Sequence, residues 1–254
     1  MRKRILASLI VMVMAMGALA PSVVSADTYT KSGYACKKKN TIYFAFTSSK
    51  KSTPIYKYNV KTRRRTRVFP RRGSAIREFK NLNIMGKYLY CAARPAKSLS
   101  CRYIYKINVK TGGAKRLAKG TNPTIVGGRI VYEGMKAQRV NDNLNITYVP
   151  SGKDYSADMN CRKKKPVSHT AVNAETSCRD TKIGYGKYKY FITGDGKKIY
   201  RQRGKSKKQI CKARKITGFR VLSGYLIVKT TKNGRNYAYC VKNDGSSSVK
   251  ILRW

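Results

Sequence analysis

The sequence predicts an all-β protein built from repeated four-stranded units, and three observations carry that prediction. Short runs in which β-branched and aromatic residues alternate with polar ones recur along the chain, which holds 19 Tyr, and period-2 alternation is the mark of a half-buried strand. One motif occurs twice almost unchanged, as Ile55-Tyr56-Lys57-Tyr58-Asn59-Val60-Lys61-Thr62 and as Ile104-Tyr105-Lys106-Ile107-Asn108-Val109-Lys110-Thr111. The signals of long helices are missing.

The motif sets the period. Weaker copies lie at Ile146-Thr147-Tyr148-Val149, Lys198-Ile199-Tyr200-Arg201 and Tyr237-Ala238-Tyr239-Cys240, so equivalent tyrosines at 56, 105, 148, 200 and 239 are 49, 43, 52 and 39 residues apart. Each is preceded by a strand that tends to open at a Gly or Asn turn, over residues 40–46, 86–91, 128–132, 186–192 and 224–229. A further short strand is expected ahead of each (78–85, 218–222) and a fourth behind (114–118, 248–252). Four strands recurring at that spacing match one blade of a β-propeller. The chain therefore predicts about five four-stranded blades, with an open array of the same hairpins as the alternative.

The unit Gly-x-x-Ile/Leu-Tyr followed by Ile-Tyr-Lys-Ile-Asn-Val-Lys-Thr-Gly-x-x-Lys-x-Leu resembles the repeat of bacterial secreted TolB-like and low-density-lipoprotein-receptor-like β-propellers. Units one and two carry it well. Unit three departs, with Tyr148-Val149-Pro150-Ser151-Gly152 where the Asn-Val-Lys-Thr-Gly turn is expected. The resemblance implies an architecture and a non-catalytic binding habit, and names no site, since propellers host many unrelated functions.

Arg2-Lys3-Arg4 precedes an uncharged apolar run over residues 5–20, shorter than the roughly 20 residues that span a bilayer. Pro21 and then Val24-Ser25-Ala26 complete the pattern of a signal peptide, with the small residue that cleavage needs. The expected organisation is a signal peptide, 1–26, and one repeat domain, 27–254. The expected location is extracellular, with retention at the cell wall by charge and no stable membrane insertion.

Charge is the strongest functional signal. The chain has 57 Lys and Arg against 10 Asp and Glu, a formal net charge of +47. High charge with low hydrophobicity would indicate disorder, but 41% of residues are hydrophobic. Cations against acids number 14 against 1 over residues 27–73, 11 against 1 over 74–120, 8 against 4 over 121–165, 14 against 3 over 166–215 and 7 against 1 over 216–254. Units one and two make the most basic contiguous pair. Any single run is ordinarily a solvated turn, yet solubility charge is usually mixed in sign, and this charge is not. The candidate docking residues are Arg63, Arg64, Arg65, Arg67, Arg71 and Arg72 in unit one, with Lys110, Lys115 and Arg116 in unit two. The expected partner is an anionic polymer such as a teichoic acid, an anionic glycan or nucleic acid bound without sequence preference. An acidic protein on a scaffold is the alternative.

Seven cysteines leave at least one unpaired. If a hairpin turns about Ala96, with Leu89 opposite Tyr103, Cys91 and Cys101 face each other and can form a disulfide; Cys161 with Cys178 is a weaker pairing. No Cys-x-x-Cys occurs and the single histidine is His169, so no zinc site and no cofactor are expected. Asp142, Asp154 and Asp158 are read as turn residues. The less favoured enzymatic reading is an acidic-polysaccharide lyase using His169 or a Tyr as base.

Overall fold

The computed structural model describes residues 33–46, 53–70, 76–98, 100–139, 146–167 and 182–254, and among them every helix or strand is a β-strand. The leader, 1–26, lies outside the described residues.

The strands form five antiparallel meanders. Blade one is β1 (Ala35–Lys38), β2 (Thr41–Phe44), β3 (Ile55–Asn59) and β4 (Arg65–Phe69). Blade two is β5 (Ile76–Met85), β6 (Tyr88–Pro95), β7 (Tyr103–Asn108) and the first half of β8 (Ala114–Val126). As far as Lys119, β8 pairs with β7; from Gly120 it pairs with β9 (Arg129–Arg139). One strand is thus the outer edge of blade two and the inner strand of blade three, which β10 (Ile146–Ala157) and β11 (Lys165–Val167) complete. Blade four is β12 (Lys182–Tyr185), β13 (Tyr188–Ile192), β14 (Lys198–Arg203) and β15 (Ser206–Lys212). Blade five is β16 (Ile216–Leu222), β17 (Tyr225–Lys232), β18 (Arg235–Lys242) and β19 (Ser248–Arg253). All five equivalent tyrosines, Tyr56, Tyr105, Tyr148, Tyr200 and Tyr239, fall in the third strand of their blade.

The Asn of the repeat explains the turn after that strand. Asn59 Oδ1 accepts the backbone N–H groups of Lys61 and Thr62 (2.9 and 3.1 Å), and Asn108 Oδ1 does the same for Lys110 and Thr111 (2.9 and 3.4 Å). Such a side chain mimics a backbone turn. In blade three, where the motif departs, Tyr148 to Gly152 lie inside β10 around a register shift between Pro150 and Asp154. The turn comes later, at Asp158, whose Oδ1 accepts from Asn160 and Arg162 (2.9 and 2.8 Å).

Apolar residues gather at the seams between blades. Val68, Phe79, Leu89 and Ile107 join blades one and two; Tyr90, Ile104, Ile130 and Tyr132 join two and three. Tyr190, Ile199, Phe219 and Val228 join four and five, and Phe44, Phe46, Ile227 and Ile251 join five to one. Unit five therefore sits beside unit one, as a propeller requires. Among the described residues no such cluster joins blades three and four, and segment 168–181 between them lies outside the description.

The register of β6 and β7 corrects the expected hairpin. Leu89 faces Ile107 and Cys91 faces Tyr105, while Ala93 faces Tyr103. Cys101 is four residues along the chain from Cys91's partner, roughly 13 Å at a strand's rise, beyond the 7 Å or so that a disulfide spans. Both are free, buried thiols. Tyr88, Tyr90 and Ala92 bury against blade three while Leu89, Cys91 and Ala93 face blade one, and the four-residue difference keeps every one of these faces. It comes from the longer loop, where ladder pairing stops at Ala93 and Tyr103 and the Cys101 N–H donates to Ser98 Oγ. Cys178 lies outside the described residues, so its pairing with Cys161 does too.

Candidate polyanion-binding surface

The outer strands expose the charge. Residues Arg65, Thr66 and Arg67 of β4, Ala114, Lys115 and Arg116 of β8, and Ser206 to Gln209 of β15 are all exposed. A fourth strand lacks an outer neighbour, so one edge and the first residues of β4 and β15 meet solvent while their later apolar residues pack in the seams. Lys or Arg there also discourages edge-to-edge pairing with another sheet. That edge is where a cation costs the fold least.

The predicted docking residues divide by role. Arg63 and Arg64 stand exposed in the turn between β3 and β4, with Arg63 at φ +55°. Arg65 is turned back: its guanidinium lies over the Tyr56 ring at 5.1 Å and Nη1 donates to the Ile251 carbonyl of blade five at 2.5 Å. Arg67 remains on the exposed face of β4. Lys110 is exposed in the turn after β7, Lys115 is exposed on β8, and Arg116 lies over the Tyr103 ring at 4.7 Å. The two groups occupy equivalent turns and outer strands of blades that pack side by side. Arg71, Arg72 and His169 lie outside the described residues.

Tyrosines serve the fold more than they offer open faces. Tyr190 is buried, and Tyr188 carries Arg201 at 4.4 Å and Lys187 at 5.8 Å. Tyr200 is covered by Lys207 at 4.5 Å. Burial pushes the phenols of Tyr90 and Tyr132 up to about 12, so both stay protonated at neutral pH. The Tyr188 and Tyr200 rings thus steady cations in place.

The carboxylates are engaged internally. Glu78 receives Arg94 and Arg102, the latter at 2.8 Å. Burial alone would raise its pKa, but the charge and hydrogen bonds of Arg102, and then of Arg94, hold it below the ordinary 4.5. Glu133 accepts from Asn122 and from the Gly152 N–H (3.3 and 3.2 Å). Asp154, 2% exposed, faces Glu133 across the β9–β10 ladder. Asp158 and Asp244 accept turn N–H groups, and Asp195 accepts the Thr193 hydroxyl and then the Lys197 N–H; these hydrogen bonds lower their pKa values.

Charge runs mark only one of the four lysines that meet on blade three, Lys164. A cleft of about 600 Å³ opens on blade three beside the end of blade two, lined by Lys119, Lys136, Lys153 and Lys164 with Tyr132 and Tyr155. These lysines come from three strands and a turn. Its sequence signal is only the alternation Tyr132-x-Gly134-x-Lys136 and Ser151-x-Lys153-x-Tyr155.

No family model matches the chain, and no curated protein matches its sequence. Among solved structures, the β-propeller domain of the trilobed protease from Pyrococcus furiosus is similar at 11% identity and a TM-score of 0.47, over 87% of this chain and 98% of that one. TolB from Acinetobacter baumannii is similar at 15% identity and a TM-score of 0.34, over 83% of this chain and 51% of that one. Acylaminoacyl peptidase from Pyrococcus horikoshii gives 15% identity and 0.34, over 89% and 40%. The chain thus spans well under half of the peptidase. The assignment of blades rests on the strand pairing itself.

Proposed function

We propose that this protein is an exported, non-catalytic propeller that docks on anionic polymers of a cell surface or matrix through its exposed turns and outer strands. The observation that carries the reading is the disposition of charge. The described acids hold turns, a two-arginine bridge and the interior of blade three, while most of the described cations occupy exposed strands and turns. Residues 27–254 hold 54 of the cations and all 10 acids, so even if each acid neutralised one cation a net +44 would remain. Such a surface repels itself, and a polyanion relieves that repulsion while releasing its own counterions. Exposed Arg63, Arg64 and Arg67 with Lys110, Lys115 and Arg116 form the preferred arc, because guanidinium forks suit phosphate and carboxylate oxygens.

The test uses residues 27–254 on immobilised heparin and on immobilised glycerol-phosphate polymer across a salt series. Tight retention at low salt that falls steeply with added salt supports the reading. Absence of affinity for either polymer at low salt overturns it.

A further inference from the structure

We propose that the lysine-lined cleft of blade three is a site for a small, multiply charged oxyanion, a compact ring or polyol bearing clustered phosphate or sulfate esters. The inference rests on the polyanion reading above and deepens it by separating one built site from the general coat of charge.

The cleft gathers like charge in one place. Four ammonium-bearing side chains, Lys119, Lys136, Lys153 and Lys164, line a single space, and no Asp or Glu is among the lining residues. Glu133 and Asp154 belong to the strands that form the floor, yet the side chain of Glu133 is engaged with Asn122 and the Gly152 N–H, and Asp154 is buried at 2% exposure. Two of the lysines are steadied by rings: Lys164 Nζ lies 3.9 Å from the Tyr155 centroid and Lys119 Nζ 4.7 Å from that of Tyr148. Holding such chains in place lowers the ordering cost of binding. The repulsion among them is relieved when an anion of matching multiplicity enters.

Glycine makes the space. A Cβ on Gly134 would lie 2.9 Å from Tyr155 Cε2 and 3.0 Å from Ser151 Oγ, and one on Gly120 would lie 2.5 Å from the Tyr132 ring. The two rings therefore lie down against bare backbone of β9 and β8, which leaves the volume above them open. At about 600 Å³ the cleft falls within the usual range of small-molecule sites, roughly 300 to 1,000 Å³.

The residue types select the anion. Every lining cation is Lys, a compact point charge with three rotatable donors, instead of the planar fork of Arg that matches carboxylates in pairs. Several such charges converging from different strands suit tetrahedral esters spread over a small ring. Because Lys164 covers Tyr155, ligand recognition here is by charge and hydrogen bonds without ring stacking.

The test titrates residues 27–254 calorimetrically with inositol hexakisphosphate, sucrose octasulfate, an oligogalacturonate and inorganic phosphate, in the wild type, the Lys136→Ser/Lys153→Ser double variant and the Lys207→Ser/Lys208→Ser double variant. All four replaced lysines are exposed, and both variants remove the same charge. The expected result is one strong site for at least one of the two clustered esters, with the phosphate and sulfate probes separating the two ester classes. The first variant should weaken it at least tenfold and the second less than threefold, with heparin retention alike in both. Equal losses in the two variants, or tighter binding of the oligogalacturonate, overturn the proposal. Heparin binding without any site for either ester overturns the cleft while leaving the polymer reading standing. Ester binding without heparin retention overturns the polymer reading and leaves the cleft.

Discussion

The indole of Trp254 stacks on the ring of Phe46, with centroids 4.5 Å apart and planes 11° from parallel, across the seam between the fifth blade and the first. The backbone after β19 is fastened as well, through reciprocal hydrogen bonds between Trp254 and Asn236 (3.1 and 3.2 Å). The chain has a single tryptophan, so its fluorescence reports on this seam alone. Trp254→Ala should lower stability by about 2 to 4 kcal/mol, near the range for aromatic truncation, whereas Trp254→Phe should retain most of it. Chemical denaturation followed by circular dichroism measures both. An unchanged midpoint for the alanine variant would mean that the seam contributes nothing to folding.

Arg65 and its neighbours should separate into two classes. Arg63→Ser/Arg64→Ser removes exposed turn cations, so it should weaken binding to heparin, flatten the salt dependence by about two released ions and leave stability unchanged. Arg65→Ser also removes the bond to the Ile251 carbonyl, and it should cost about 1 kcal/mol of stability. Arg162→Ser/Lys163→Ser on blade three should affect polymer binding less than the blade-one pair. Equal effects on polymer binding from the two pairs would show a uniform coat with no arc.

Gly120→Ala should be destabilising by about 1 to 3 kcal/mol, the usual range for overpacking. The added methyl would meet the Glu133 carbonyl oxygen at 2.8 Å as well as the buried Tyr132 ring, and backbone in the middle of a ladder has little room to move. Gly113→Ala, with only Thr111 Oγ1 at 3.4 Å, should be tolerated. Thermal melting of the two variants side by side decides the point.

Stability should fall in acid through Glu78. Its folded pKa lies below the ordinary 4.5, so the native state binds fewer protons there than the unfolded chain. The stabilisation is complete above about pH 4.5 and is lost as pH falls through the folded value. Glu78→Gln should lower stability at pH 7 and flatten this part of the pH profile. A profile identical to wild type between pH 2 and 5 would remove Glu78 as its source.

The buried thiols should be inert. Cys91, fully enclosed, and Cys240 are pushed up to about 12 by burial, and the thiolate is the reactive form. Native protein at pH 7.5 should leave both unlabelled by a maleimide, and denatured protein should label both. Peptide mapping without reduction should find Cys91 and Cys101 unlinked. A crosslinked peptide would contradict the β6–β7 register.

The sequence by itself determined the all-β class, the length of the repeat and the number of blades. These follow from local rules: alternation dictates strands, and an Asn two residues before the turn amides dictates the third turn of blades one and two. It also determined the sign and scale of the charge. Only the tertiary structure decided the register of β6 against β7, because a four-residue shift leaves every side chain on the same face, so alternation in the sequence cannot tell the two pairings apart. It likewise divided Arg65 from Arg63 and Arg64, since the Ile251 carbonyl that holds Arg65 lies 186 residues away in the chain. The lysine cleft was illegible because Lys119, Lys136 and Lys153 are isolated lysines on three strands and Lys164 belongs to a separate run, and only strand pairing, with the Tyr132 and Tyr155 rings lying against Gly120 and Gly134, brings them to one space.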